Sequence, residues 1–218
     1  MPAKFANSEQ RLLNWYRTNV LVAHAKDFIN SSSNVAHNLF HNMLYAEDLV
    51  KTALLYAADK KLSSPDLLAL AMTGLFSVYG DSGNSFKELS SGNRVKQSLA
   101  GWNVFAQQQG ISNETHHLVG EMITNMASTT EDGMSFIYSA PIHVLEKFLR
   151  DAVTTQLAYP MARARMRYLA QEMGVNYDQS FRAQLLERGD KNLKYTLRAQ
   201  IVWRQALPLV KNWVTVDQ

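Results

Sequence analysis

Two histidines four residues apart, His37 and His41, open the stretch whose residue types and spacing could do chemistry. On an α-helix, residues i and i+4 share a face one turn apart, so the pair can address one ligand. At about 100° per residue, Asp48 falls within roughly 40° of both. The spacing predicts a helix from His37 to about Lys60, with Leu39, Met43, Ala46, Val50, Ala53 and Ala57 forming an apolar stripe on nearly the opposite side. The histidines are then expected on a partly covered cleft, away from the main core face. Ser63 or Ser64 with Pro65 reads as the start of a second helix running to about Val78. After it comes Tyr79-Gly80-Asp81-Ser82-Gly83-Asn84-Ser85, the most turn-rich run in the chain.

These residues carry a resemblance. His37-Asn38-Leu39-Phe40-His41, a helix, a Leu-Ser-Ser-Pro-Asp helix start and an Ala/Leu-rich run ending Gly-Leu-Phe together resemble the HD-domain metal-dependent phosphohydrolases, including the cyclic-nucleotide phosphodiesterases. The resemblance spans roughly residues 35 to 170. It implies an all-α fold, a proton-donor position at His37, a metal-ligand position at His41 and a nucleotide-sized cleft bordered by the loop after the second helix. The chain also departs from the family. Where the defining His-Asp pair would stand it has Ser77 and Val78, and in Leu149-Arg150-Asp151-Ala152-Val153 the last ligand position is taken by Val153. Neutral serine is a poor ligand and valine is none, so neither can hold a cation that activates water. The resemblance therefore implies a site that binds a phosphorylated molecule without cleaving it.

Side chains that could line such a site are His37, His41, Asp48, Ser77, Tyr79, Asp81, Arg150, Asp151, Arg163 and Arg167. Arg163 and Arg167, at i,i+4, would present two guanidinium groups to a phosphate. Plainer readings stand beside these. Tyr79 and Asp81 fit a polar surface turn, Arg150-Asp151 a helical surface pair, and Arg163 and Arg167 a solvated helix face. Trp102, Trp203 and Trp213 read as core, and His116, His117 and His143 as surface or structural residues. No catalytic residue, metal or cofactor is expected.

A chain of 218 residues with 46% hydrophobic content can bury a substantial core to position these groups without staples. Cysteine is absent, which excludes a disulfide framework and thiol catalysis. The formal charge of +3 is a mild, mostly late basic excess, suited to an anionic small molecule and short of a nucleic-acid stripe. No apolar run approaches the roughly 18 residues of a membrane span, and the N-terminus lacks a signal-peptide core, so a cytoplasmic location is expected.

The expected architecture is an all-α, single-domain HD-like bundle of about seven to eight helices over residues 1 to 218, without strands. Helices are predicted over about Asn7 to Asn30, Phe86 to Gln109, Ser112 to Ala127, Pro141 to Met173 with a break at Pro160, Tyr177 to Arg188, and Lys191 to Trp213 with an interruption at Pro208. The expected partner is a nucleotide or other phosphorylated small molecule, sensed or sequestered in the degenerate cleft. Neither nucleic acid nor a membrane is expected, and a homo-oligomer is compatible with the chain. Two other readings stay open: an active phosphohydrolase with a rearranged metal site, pairing His41 with Asp48, Asp81 or Asp151, and a helical module that binds another protein.

Overall fold

The computed structural model of the chain describes residues 3–81, 83, 92–126, 128–130, 136–138, 140–159 and 161–216. The α-helices are α1 (Ala3–Thr18), α2 (Val20–Ser32), α3 (Met43–Tyr56), α4 (Ser64–Phe76), α5 (Asn93–Gln108), α6 (Asn113–Asn125), α7 (Val144–Thr154), α8 (Ala162–Glu172), α9 (Gln179–Lys191) and α10 (Leu197–Val216). Single 3-10 turns lie at Asn34–His37 and Gln156–Ala158. The fold is helical, and among the described residues the expected seven to eight helices become ten.

The centre is α4. Ser63 caps it, accepting the N–H of Asp66 at 3.2 Å while Asp66 accepts the Ser63 N–H at 3.1 Å, and Pro65 occupies its first turn. From Ala69 to Phe76 every residue is buried, as a helix apolar all round must be. Helices α2, α3, α5, α6 and α7 pack around it. Gly74 lets the closest approach occur: a Cβ there would lie 2.5 Å from Val50 Cγ2 on α3 and 3.3 Å from Leu149 on α7. Trp102 and Trp203 are buried as expected, their indole N–H groups donating to the His116 carbonyl and to Asp190.

Short polar side chains account for most differences from the expected boundaries. Asn19 is extended and its side chain accepts the Val22 N–H, splitting the first predicted helix into α1 and α2. The helix predicted from His37 begins instead at Met43. Asn42 caps it through the Tyr45 N–H, and His37 ends the 3-10 turn capped by Ser33. The histidines therefore do not share a helical face. The segment from Pro141 to Met173 resolves into α7, capped by His143 with Glu146, a 3-10 turn and α8; Pro160 lies outside the described residues. Pro208 sits inside α10, which continues past it. Ser128–Thr130 and Phe136–Tyr138 pair antiparallel, a small ladder where no strand was expected. Of the turn Tyr79 to Ser85, only Tyr79, Gly80, Asp81 and Gly83 are described, and the start predicted at Phe86 also lies outside.

No described helix is long and apolar enough to cross a membrane.

Candidate functional site

Three segments distant in sequence bring a histidine and two carboxylates together. The first is the non-helical turn Asn38 to Asn42. Its asparagines bond locally instead of joining α3: Asn38 Nδ2 donates to the His41 carbonyl at 3.2 Å and to the Asp81 carbonyl at 2.9 Å. The second is the turn leaving α4, where the Asp81 N–H donates to the Val78 carbonyl at 3.0 Å. Asn38 thus ties the first turn to the second, and Gly83 closes over it, since a Cβ there would fall 2.3 Å from Asn38 Oδ1. The third is the C-terminal end of α8, which supplies Glu172.

An acid at a helix C-terminus faces the negative end of the macrodipole, so Glu172 needs compensating partners. It has them. Glu172 Oε2 accepts the backbone N–H groups of Phe40 at 2.8 Å and His41 at 3.2 Å, and Oε1 is in close contact with His41 Nδ1. Burial pushes the Glu172 carboxyl up, but the hydrogen bond and charge of His41, with the two backbone donors, outweigh it and hold the group below the usual carboxylate range. On its other side His41 Nδ1 stands 3.3 Å from Asp81 Oδ2, and Arg94 Nη1 on α5 lies 3.4 Å from the same oxygen. His41, Asp81 and Glu172 are all buried, and one ligand atom from each lies within 4.8 Å of the others. The rings of Phe40 and Tyr45 both pack edge-on about the imidazole and hold it in place.

Beside this cluster lies a cleft with a volume of about 80 Å³, partly open to solvent. Its polar lining includes His41, Arg94, Gln156 and Arg188, and its apolar lining includes Val153, Met166 and Leu169. That is room for a group of a few non-hydrogen atoms, such as a phosphate, rather than for a whole nucleotide.

Of the residues expected at the site, His41 and Asp81 meet in the cluster, and the others take different places. His37 is exposed on the 3-10 turn. Asp48 pairs with Arg165 and lines a second cleft with Lys51 and Tyr159. Ser77 ends α4, its hydroxyl donating to the Gly74 carbonyl at 2.8 Å, and Val78 beside it is fully buried. Tyr79 stacks against Phe28 and Phe76 and donates to the Ser32 carbonyl at 3.0 Å, so it packs α2 against α4. Arg150 is a core residue and not a surface one: it donates to the Asn125 carbonyl at 3.0 Å and pairs with buried Glu146. Asp151 is fully buried, accepting the N–H groups of Tyr195 and Thr196, each at 2.7 Å. Burial pushes its carboxyl up despite those donors. Arg163 and Arg167 lie on the exposed side of α8, the Arg167 guanidinium 5.4 Å from the Tyr177 ring centroid.

Sequence reasoning missed Glu172 and Arg94. Arg94 offers no local signal, because its role comes from the packing of α5 against the turn after α4. Glu172 offers a weak one: an acid in the last turn of a helix stopped by Gly174, where the macrodipole favours a base.

No protein-family model, curated protein or solved structure significantly matches the chain.

Proposed function

We propose that this protein binds the phosphate of a nucleotide or other phosphorylated small molecule in the cleft beside His41, and holds it without cleaving it. The observation that carries the reading is the lining of that cleft, with imidazole and guanidinium groups near one another and an apolar remainder. Such a lining suits the anionic head of a ligand. Retention without cleavage is supported by the degenerate sequence pattern. Ser77 and Val78 replace the His-Asp pair of the family the chain resembles, the Ser77 hydroxyl is committed to Gly74, and the Val78 side chain belongs to the core. A protein of this kind would sense or sequester a nucleotide signal.

The reading is tested by calorimetric titration of the full chain with nucleoside mono- and diphosphates and cyclic nucleotides, alongside an assay for released product. Binding of at least one compound with no turnover is the expected result. Failure of every phosphorylated compound to bind would remove the proposal.

A second reading, hydrolysis at a rearranged metal site, has one specific observation in its favour: His41 and Asp81 do meet, with Glu172 as a third donor. Turnover in the same assay would select it.

A further inference from the structure

We infer that His41, Asp81 and Glu172 form a binding site for one divalent transition-metal cation. The imidazole Nδ1 can donate at most one proton, yet two buried carboxylates face it, Glu172 Oε1 in close contact and Asp81 Oδ2 at 3.3 Å. Glu172 takes that donor. Asp81 Oδ2 is left buried, with no hydrogen-bond partner among the described residues, in a residue only 5% exposed. Its other neighbour, Arg94 Nη1 at 3.4 Å, supplies charge without a hydrogen bond. A buried anionic oxygen in that condition is costly unless something else fills the gap.

A cation fits what is there. Around a metal with ligand distances of about 2.0–2.2 Å, ligand atoms sit roughly 3.0–3.6 Å from one another; the Nδ1 to Oδ2 separation of 3.3 Å falls in that range, whereas Nδ1 and Oε1 are in hydrogen-bond contact and part as the imidazole proton moves to Nε2 and the cation takes its place. The donors are also positioned in advance. Glu172 Oε2 is occupied by the N–H groups of Phe40 and His41, which leaves Oε1 turned to the cluster, and Asn38 fixes the backbone carrying Asp81. One imidazole and two carboxylates suit Mn²⁺, Fe²⁺ or Zn²⁺, and leave coordination positions open to water or a ligand oxygen. Charge points the same way. With neutral imidazole, the two carboxylates and Arg94 sum to −1, a local excess of negative charge that a divalent cation offsets. The inference departs from the absence of metal expected at Ser77, Val78 and Val153, because its two carboxylates come from other positions. It deepens the rearranged-site reading without depending on any nucleotide.

The test uses the full chain, stripped with chelator and dialysed. Mn²⁺ is titrated with detection of free ion by electron paramagnetic resonance, and Zn²⁺ by calorimetry. One equivalent of either ion is expected to bind. Asp81→Asn should weaken binding by at least about 10-fold, as Oδ2 has no hydrogen bond to lose and folding should survive. Asp48→Asn, which alters an acid outside the cluster, should bind as the unmodified chain does. Glu172→Gln, if it folds, should also lose the ion. No binding of either ion at about millimolar concentration, or unchanged binding in Asp81→Asn, or equal loss in Asp48→Asn, would each overturn the site. Because the bare ion is the probe, a failure here is distinct from a failure to bind nucleotides.

Discussion

Glu172 holds His41 at both ends of one residue, its Oε2 taking the backbone N–H and its Oε1 facing the imidazole, across 131 positions of sequence. The turn carrying His41 is therefore anchored to α8 and not built into α3. Replacing Glu172 with alanine strands the buried N–H groups of Phe40 and His41, and should cost about 1–3 kcal/mol. Glu172→Gln, which keeps one acceptor oxygen, should cost less. Urea denaturation of the two variants measures the order, and equal losses would mean that the backbone donors are not the main debt.

His37 and His41 should behave differently. His41 lines the cleft and is buried, whereas His37 is exposed on the 3-10 turn. His41→Ala should lower both melting temperature and nucleotide affinity, the latter by about 10-fold or more for a lost charge-assisted contact. His37→Ala should leave both nearly unchanged. Calorimetry and thermal melts on the two single variants decide this, and an affinity loss in His37→Ala would move the ligand out of the cleft.

Asp151 should act through stability alone. Its two oxygens clamp Tyr195 and Thr196, at the start of α10, onto α7. Asp151→Asn puts an amide NH₂ against one of those donors and should cost about 1–3 kcal/mol. The folded fraction should bind ligand as before, so affinity corrected for that fraction is the measurement that separates a clamp from a contact.

The helical character of the chain was legible because it rests on local patterns: the capping box at Ser63 and the apolar run of α4 act within a few residues. The cluster was legible only by half. His41 and Asp81 stood in a stretch singled out for its chemistry, although the helical spacing that first coupled His41 to His37 does not exist, because Asn42 starts α3 after both. Glu172 lies 131 residues from its partner, and nothing local to it names His41. Arg150 and Asp151 looked like a surface pair for the same reason: their partners, Asn125, Tyr195 and Thr196, are set by tertiary packing.

Acid should weaken the contact between α2 and α3. Glu47 takes Lys51 at 2.7 Å and Lys26 at 3.0 Å. Burial tends to raise its carboxyl, but the hydrogen bonds from Lys51 and Lys26, and their charges, outweigh this and lower it. A carboxyl lowered in the folded state contributes stability above its unfolded pKa, and that contribution disappears as pH falls through the folded value. The unmodified chain should therefore be more stable than Glu47→Gln by roughly 0.5–1 kcal/mol near neutrality, with the gap closing below about pH 4. Denaturation curves at both pH values measure it, and a gap that widens in acid would contradict the sign.

Gly74 tests the packing that supports the whole arrangement. In a helix interior, glycine to alanine ordinarily stabilises by about 1 kcal/mol. Here the new methyl would sit 2.5 Å from Val50 Cγ2 and 3.3 Å from Leu149, at a fully buried meeting of three helices. Val50 cannot turn aside easily, since a β-branched side chain in a helix has one strongly preferred rotamer. Overpacking of this kind costs about 1–3 kcal/mol, so Gly74→Ala should be destabilising on balance. Val50→Ala removes the obstructing methyls and leaves a space that the added methyl can partly fill. In that background Gly74→Ala should become neutral or stabilising, a coupling readable from a double-mutant cycle. Additive effects of the two substitutions would mean that α3 and α4 are not in contact at this point, and that the turns carrying His41 and Asp81 are held in register by something other than this approach.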